Sequence, residues 1–400
     1  MPHYLCPVCS SVDTECLLDR HQVPVHQNLM MLTQYQAENC AKGELLMRLC
    51  LNCGFVYNSG FDLNLLAYGV QYDNTQSHSA IFERYLDELV EQLVEQQGVR
   101  NCTVVEVGCG KGHFLQKLVS YPDANIKGYG FDPSYVGPET SQDGRLIFRR
   151  SYYDDSCTDI QADVVVCRHV IEHVPDPLPF LQTIQRAVIS NPDARIYFET
   201  PCIDWILSNK VVWDFFYEHC SLFSVSSLRT AFELAGFSVN SVHHVFNGQY
   251  LWLEATNKTP KTVFTNAVNT VHLAKAYKET DQQLQAKLTS LLLELKRRGN
   301  VALWGAGAKG ATLAHLVDTS GQLIDAVVDI NPNKQGKYIP GSGHKIPATP
   351  ESAACAQTDW AHPPAAVLAV PSTHWKGWSR HRQYRPAGAR RDRSRPHHRR

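Results

Sequence analysis

The sequence predicts an α/β protein with a small cysteine-rich module in front of it. A β-branched segment runs into a glycine-rich turn near residue 108 and again near residue 305, and a helix-like stretch follows each turn. Two Cys-x-x-Cys pairs within the first 53 residues set the N-terminal part apart from the rest. Four hundred residues are enough for two or three domains, each with its own core.

The cysteine-rich module is defined by Cys6, Cys9, Cys50 and Cys53. Each pair can present two thiolates to one tetrahedral ion, and Gly54 permits the tight turn after the second pair. Four sulfur ligands leave no open coordination position, so the spacing predicts a structural zinc ion. Two chance pairs of buried cysteines are the alternative.

The composition predicts a soluble, cytoplasmic protein. Hydrophobic residues make up 44% of the chain and charged residues 19%. No apolar run approaches the ~20 residues of a membrane helix, and the N-terminus lacks the basic start and apolar stretch of a signal peptide. Because the cytosol keeps thiols reduced, we interpret the thirteen cysteines as metal ligands and buried side chains, and not as disulfides.

Charge is distributed unevenly along the chain. Residues 371–400 hold nine Arg and one Lys against one Asp, a net charge of +9 that leaves −10 for residues 1–370. The acidic body argues against a nucleic-acid enzyme, because phosphate contacts need a basic face. The basic tail has no apolar period and is predicted to be disordered. We interpret it as a shifted reading frame or a truncated domain; a basic arm for anionic partners is the alternative.

The central glycine turn comprises Gly108, Gly110 and Gly112, with Glu106 two residues ahead of it. The glycines let the backbone approach a ligand where a Cβ atom would collide, and a helix N-terminus lies just behind. A second predicted strand ends in Asp132, 24 residues after Gly108. A carboxylate at that position can accept both ribose hydroxyls of a bound adenosine.

The ligand of this turn is predicted to be S-adenosylmethionine (SAM). Glu106 resembles the acidic residue in the first motif of class I SAM methyltransferases, and the segment from Arg168 through His169 to His173 is similar to the region after their fourth strand. His169 is then expected to line the cofactor. An NAD-binding Rossmann domain is the alternative, because it shares the strand–turn–helix order.

An adjacent Glu-His pair follows the fifth predicted strand, inside the aromatic segment Trp213 to Ser224. The imidazole of His219 can accept a proton at neutral pH with little tuning of its pKa, which is near 6.5 when unperturbed. Glu218 and the flanking aromatic residues favour a catalytic histidine over a satisfied core histidine.

A second glycine turn, Gly305-x-Gly307-x-x-Gly310, lies in the C-terminal part and is followed by Asp329. By itself this pattern predicts a dinucleotide site. A helix with a leucine stripe precedes it, ending near Gly299.

Taken together, the two cysteine pairs, the SAM turn, the Glu-His pair and the later glycine turn resemble the C-methyltransferases that act on nucleotide-linked keto-deoxysugars. The resemblance covers roughly residues 4–360. That family usually has Tyr-His-Glu-His where this chain has Phe216-Tyr217-Glu218-His219, and it has a tyrosine that Tyr72 resembles.

The resemblance implies carbon methylation of a small nucleotide-linked sugar through an enolate. His219 would be the base, oriented by Glu218, while Tyr72 and Tyr217 would donate hydrogen bonds to the enolate oxygen. The C-terminal Rossmann-like domain would hold the sugar nucleotide, and a second cofactor or a purely structural turn are its alternatives.

The predicted architecture is a class I SAM methyltransferase (Rossmann-like) domain between a zinc-binding module and a smaller Rossmann-like domain. The predicted boundaries are 1–60, 61–256 and 257–370, with the tail at 371–400. An O- or N-methyltransferase on a small metabolite and a zinc-containing nucleic-acid methyltransferase are the alternative functions.

Overall fold

A computed structural model of the chain describes residues 4–66, 79–157, 159–260, 266–348 and 366–369. The basic tail, residues 371–400, lies outside the described residues. The strands are β1 (Thr14–Pro24), β2 (Lys42–Cys50), β3 (Val56–Asn58), β4 (Thr103–Val107), β5 (Lys127–Phe131), β6 (Thr140–Ser141), β7 (Leu146–Arg149), β8 (Val164–Arg168), β9 (Arg195–Pro201), β10 (Ser221–Leu222), β11 (Ser238–Val245), β12 (Tyr250–Thr256), β13 (Val301–Trp304), β14 (Ala326–Val328) and β15 (Ala366–Ala369). The α-helices are α1 (Gln34–Glu38), α2 (Ala80–Glu91), α3 (His113–Val119), α4 (Pro177–Ala187), α5 (Ile203–Ser208), α6 (Val225–Leu234), α7 (Val268–Arg298) and α8 (Ala308–Val317).

The N-terminal strands form an antiparallel sheet in the order β1-β2-β3-β10. Its fourth strand comes from far along the chain: Ser221 pairs with Tyr57 and Leu222 with Val56. The N-terminal module is therefore joined to the segment that contains the Glu-His pair by backbone hydrogen bonds as well as by side chains.

The central sheet has eight strands in the order β11-β12-β9-β8-β4-β5-β7-β6. Strands β7, β5, β4, β8 and β9 are parallel, and β12 runs antiparallel beside β9. The parallel strands are buried along nearly their whole length, since helices cover both faces of such a sheet. The chain order reverses at β4, which lies between β5 and β8, and ligands bind at the carboxyl ends of strands at such a point.

The C-terminal part begins with the 31-residue helix α7, which ends at Gly299. Three short parallel strands follow in the order β14-β13-β15, with α8 after the central strand β13. Helix α7 packs against β1, α5 and α8, so its apolar side joins the core of the N-terminal module to that of the C-terminal sheet.

In the parts of the chain that the structure describes, none of the helices is both long and apolar enough to cross a membrane.

Candidate active site and cysteine cluster

The central glycine turn follows β4, and all three of its glycines have positive φ angles. A Cβ atom at Gly108 would lie 2.1 Å from Val170 Cγ2, and one at Gly112 would lie 2.5 Å from the Phe148 ring. At Gly110, by contrast, no heavy atom of the described residues lies within 4 Å of the Cβ position. Gly108 and Gly112 thus permit close packing, while Gly110 borders open space into which a ligand fits.

Two carboxylates lie beside this turn. Asp132 follows β5, and its Oδ2 accepts a hydrogen bond from the Gly110 N–H at 2.9 Å, while its Oδ1 accepts one from the Ser134 N–H at 2.7 Å. Glu106 is buried within β4, its Oε2 has no hydrogen-bond partner among the described residues, and burial raises its pKa to about 8. Such an acid is protonated at pH 7 and ionises when a cation binds beside it, which suits a ligand that carries positive charge, as SAM does.

A buried cluster of charges lies at the ends of β8 and β9. Arg168 Nη2 is 2.9 Å and His169 Nε2 is 2.7 Å from Glu199 Oε1, and the Tyr85 hydroxyl donates to the other oxygen of Glu199. Burial lowers the pKa of His169, but Glu199 and Glu172 outweigh it and raise the pKa to about 9. His169 is therefore held as a cation and has a left-handed backbone conformation, with φ of 54°.

His219 lies next to this cluster and contacts a second histidine. The rings of His219 and His173 meet edge to face with centroids 4.8 Å apart, and the Phe216 ring lies 4.1 Å from that of His219. One ring nitrogen of His173, one ring nitrogen of His219 and one carboxylate oxygen of Glu172 all lie within 4.8 Å of one another. Burial, followed by the charges of His173, His169 and Lys309, lowers the pKa of His219 well below its ordinary value. His219 is therefore a neutral imidazole at pH 7.

The two residues before His219 contact the N-terminal module. The Glu218 carboxylate accepts hydrogen bonds from His26 Nδ1 and from the Gln27 N–H, each at 3.1 Å. Both of its oxygens are thus engaged by the N-terminal module, so Glu218 does not orient His219 through a hydrogen bond. The carboxylate fixes the position of its segment instead, because it is buried and paired.

Tyr217 also faces the N-terminal module and not the acceptor side. Its hydroxyl accepts from the Asp62 N–H at 2.7 Å and lies 3.2 Å from the Asp62 carbonyl oxygen. Its ring covers Gly43, where a Cβ atom would lie 2.3 Å from Tyr217 Cε2. The hydroxyl is therefore not available to an enolate oxygen. Tyr72 lies outside the described residues.

The C-terminal glycine turn reaches the same segment. Lys309 Nζ donates to Asp214 Oδ2 at 2.9 Å and to Gln249 Oε1 at 3.2 Å. Asp214 precedes His219 by five residues, and Gln249 directly precedes β12. Three parts of the chain thus meet around the residues that lead to His219.

The four predicted cysteine ligands converge at one point. Cys6 Sγ lies 3.7 Å from Cys53 Sγ and Cys9 Sγ lies 3.5 Å from Cys50 Sγ, and all four sulfurs are within 4.8 Å of one another. A tetrahedral ion with Zn–S bonds of ~2.3 Å places its sulfurs about 3.8 Å apart. Hydrogen bonding to Cys50 raises the pKa of the Cys6 and Cys53 thiols, so four thiolates here require a cation. The donor set and its spacing fit zinc.

Sequence reasoning overlooked four of these residues: Glu172, His173, Glu199 and Lys309. Glu172 and His173 stand in the segment that was compared with methyltransferases, and Lys309 lies inside the second glycine turn. Their spacing along the chain was therefore visible, but their proximity to His219 depends on how distant segments pack.

Comparisons with known proteins match both the central and the C-terminal part of the chain. A family model described as a methyltransferase domain matches residues 77–242, and one described as a C-methyltransferase C-terminal domain matches residues 261–372. The C-methyltransferase NovU from Streptomyces niveus is 26% identical in an alignment of length 379 that covers 87% of this chain and 86% of NovU.

Other similarities cover a smaller share of the chain. A ubiquinone biosynthesis O-methyltransferase from Actinobacillus pleuropneumoniae serotype 7 is 29% identical in an alignment of length 107 that covers 24% of this chain and 44% of that enzyme. The solved structure of an O-methyltransferase family protein from Burkholderia thailandensis covers 44% of this chain and 57% of its own, with 16% identity and a TM-score of 0.36.

The central sheet, its glycine turn and the matched domain make this chain a SAM-dependent methyltransferase with a Rossmann-like class I fold. The C-terminal match and the similarity to NovU relate it to the C-methyltransferases. The predicted fold class and enzyme class are thereby confirmed.

Proposed function

We propose that this enzyme methylates a carbon next to a ketone in a nucleotide-linked keto sugar, with His219 as the base. One observation carries the proposal: a neutral histidine, paired with His173, lies next to the charged cluster at the carboxyl ends of β8 and β9. The relation to C-methyltransferases over most of the chain supports carbon as the methylated atom.

The chemistry requires a proton acceptor and a place for negative charge. A ring nitrogen of His219 takes the proton from the carbon beside the ketone, and the electron pair of the broken C–H bond moves toward the ketone oxygen. Glu172, close to the same ring, stabilises the imidazolium that forms. SAM, when bound, supplies the methyl group as an electrophile.

The cofactor residues are proposed from the geometry around the central turn. Asp132 would exchange its contacts within the turn for the ribose hydroxyls, with Gly108, Gly110 and Gly112 shaping the cradle. His169 and Glu106 would line its inner side. Tyr72 remains our proposed donor to the enolate oxygen, a role that Tyr217 cannot fill because of its contacts with Asp62.

Zinc in the cysteine cluster is proposed to be structural. The sheet of the N-terminal module includes β10, which begins two residues after His219. A metal that holds the module together would therefore keep His219 in place without taking part in the reaction. Purified protein should contain one zinc ion per chain in this cluster, and Cys50→Ser should lower stability; stable metal-free protein would contradict this role.

The test of the base is substitution of His219. His219→Ala should lower methyl transfer by ~10² to 10⁴-fold and leave SAM affinity nearly unchanged, because the base acts on the acceptor. The wild-type enzyme should also exchange the acidic hydrogen of a keto sugar for solvent deuterium in the absence of SAM, and His219→Ala should not. His21→Ala, a change at an exposed histidine of the N-terminal module, is the control. A His219 variant that still exchanges and methylates would place the base elsewhere.

Methylation of oxygen is the second candidate, and the similarity of part of the chain to a ubiquinone biosynthesis O-methyltransferase favours it. His219 could then deprotonate a hydroxyl. Identification of the methylated atom by NMR of the product, together with absence of deuterium exchange, distinguishes this reaction from carbon methylation.

A further inference from the structure

We propose that Glu172, His173 and His219 form a second metal site, for a divalent transition-metal ion such as Zn²⁺, separate from the cysteine cluster. One carboxylate oxygen and two imidazole nitrogens lie within 4.8 Å of one another. This donor set of one carboxylate and two histidines is typical of metal sites in proteins.

The carboxylate supplies the independent observation. The side chain of Glu172 is 1% exposed, and its Oε1 accepts no hydrogen bond from the residues that the structure describes. It forms an ion pair with His169 Nδ1 at 3.3 Å. A metal ion bound here would give this oxygen the direct bond that the ion pair does not supply.

The surroundings of Glu172 suit a metal ligand. Its other oxygen, Oε2, accepts a hydrogen bond from Thr200 Oγ1 at 3.0 Å. Ligating carboxylates are commonly held in this way by a neighbouring donor. The two ring nitrogens and the carboxylate oxygen lie within 4.8 Å of one another, so metal binding would draw them together to the ~3.4 Å spacing of tetrahedral ligands.

The chemistry of the donors selects the ion. Imidazole nitrogens suit Zn²⁺, Co²⁺ and Ni²⁺, whereas Mg²⁺ prefers oxygen ligands. Three protein ligands leave one coordination position open, as in catalytic metal sites and unlike the closed cysteine cluster. A solvent molecule or an acceptor oxygen could occupy that position.

Metal binding has a consequence for catalysis that rests on the proposed function. A nitrogen of His219 that ligates a metal ion cannot accept a proton at the same time. The bound metal therefore inhibits the enzyme, and an acceptor that occupies the space beside His219 competes with it.

The binding test uses the full chain with zinc in its cysteine cluster and titrates it with Co²⁺. We expect one Co²⁺ ion per chain with visible d–d bands and no thiolate-to-metal charge-transfer band. His173→Ala and Glu172→Gln should weaken Co²⁺ binding by at least ~10- to 100-fold. That loss is typical when a residue that only hydrogen-bonds to a metal ligand is removed, so removal of a ligand itself should cost no less. His21→Ala should not change it, and near-ultraviolet circular dichroism should show that each variant is folded.

Equal Co²⁺ affinity in the wild type and His173→Ala, or bands from thiolate ligation alone, would overturn the site and leave the base role of His219 untouched. In activity assays, added Zn²⁺ should inhibit methyl transfer, and excess acceptor should relieve the inhibition. Activation by Zn²⁺ would overturn the inhibitory role and would make His219 a ligand in place of the base.

Discussion

The two glycine turns of this chain share one hydrogen-bond pattern. In the central turn, Asp132 accepts from the Gly110 N–H at 2.9 Å, and in the C-terminal turn Asp329 accepts from the Ala306 N–H at 2.7 Å. In each case the other carboxylate oxygen accepts from the N–H two residues after the acid, at 2.7 Å and 2.8 Å. In both turns the acid lies 24 residues after the first glycine, although its donor is the second residue after Gly108 and the first after Gly305.

What surrounds the turns is different. In the C-terminal turn a Cβ atom at Gly310 would lie 1.8 Å from the Gly305 carbonyl oxygen, so the turn closes tightly on helix α8. Trp304, the last residue of β13, is 42% exposed, whereas Val107, the last residue of β4, is 2% exposed. Lys334 Nζ also donates to the Ala306 carbonyl oxygen at 3.2 Å.

The charges beside the turns differ as well. Lys111 of the central turn donates to the Ser134 carbonyl oxygen, which leaves the acids Glu106 and Asp132 to face the cradle. In the C-terminal turn, by contrast, Lys334 donates a hydrogen bond to the backbone of the turn, and Lys309 extends to Asp214 of the central domain. An acid thus holds the backbone of each turn, while the charges of the neighbouring side chains differ between the two turns. A cationic ligand suits the first turn, and an anionic group suits the second.

The largest expected effect concerns the charged cluster, which belongs to the central domain. The carboxylates of Glu199 and Glu172, against the opposing effect of burial, raise the pKa of His169 to about 9, above its value of 6.5 in the unfolded chain. The protonation of His169 therefore contributes fully to the free energy of unfolding below pH 6.5. This contribution, up to about 3 kcal/mol, is lost as pH rises through 9. Urea unfolding from pH 7 to 10 should show this loss in the wild type and a shallower one in His169→Gln.

The matched variant in the C-terminal domain is Asp318→Asn. Burial raises the pKa of Asp318, but hydrogen bonds from His344 and from the N–H groups of Gln322 to Ile324 hold it below its ordinary value. The contribution of ionised Asp318 to the free energy of unfolding is lost only as pH falls below 3.8. Asp318→Asn should therefore leave the dependence of that free energy on pH between 7 and 10 unchanged. Equal alkaline slopes in the wild type and His169→Gln would contradict a cationic His169.

The second prediction compares the two acids that hold the turns. Asp132→Ala should raise the Kd for SAM by about 10- to 100-fold, because hydrogen bonds to a charged group contribute ~1.5–3 kcal/mol. Asp329→Ala should lower stability but leave the Kd for SAM unchanged. Isothermal titration calorimetry with SAM checks both, and an equal change in the two variants would mean that Asp132 acts only through the fold.

The third prediction compares the glycines. Gly310→Ala should lower the free energy of unfolding by about 1–3 kcal/mol, because its Cβ atom meets the Gly305 carbonyl oxygen. Gly110→Ala should cost ~1–2 kcal/mol through its left-handed backbone alone, yet it should abolish tight SAM binding. Denaturant unfolding and calorimetry separate the two effects, and tight SAM binding by Gly110→Ala would remove this glycine from the cofactor site.

The central sheet could be predicted because β4 and β8 are buried and consist mainly of apolar residues. The sequence predicts strands that lead into Gly108, Asp132 and the segment at Arg168, and a fifth strand ahead of Trp213; β4, β5, β8 and β9 lie at these positions. The cysteine cluster could also be predicted from the sequence, because its four cysteines come in two local pairs whose spacing is typical of metal ligands.

The roles of Tyr217 and Glu218 could not be predicted from the sequence. Glu218 pairs with His26 across 192 residues, and β10 contains only two residues, so no local pattern announces that this segment completes the N-terminal sheet. Tyr217 and Glu218 both lie in the turn ahead of β10, and both contact the N-terminal module, whereas His219 contacts His173. These contacts depend on how distant segments pack and leave no pattern in the local sequence.

The smallest expected effect concerns Lys309, which connects the second turn to the segment before His219. Lys309→Met removes the cation that pairs with the largely buried Asp214. If the C-terminal domain holds the anionic part of a nucleotide-linked acceptor, KM for that acceptor should rise about tenfold, equivalent to ~1.4 kcal/mol, while the Kd for SAM stays constant. Lys309→Arg should restore much of the loss because it keeps the charge.

Lys296→Met, which breaks an ion pair with Asp325 elsewhere in the same domain, is the control for stability alone. Steady-state kinetics with a nucleotide-linked keto sugar, paired with urea unfolding, distinguishes the two possibilities. If both methionine variants lower stability and neither changes KM, the second glycine turn is structural, and the acceptor is held by the central domain and the N-terminal module.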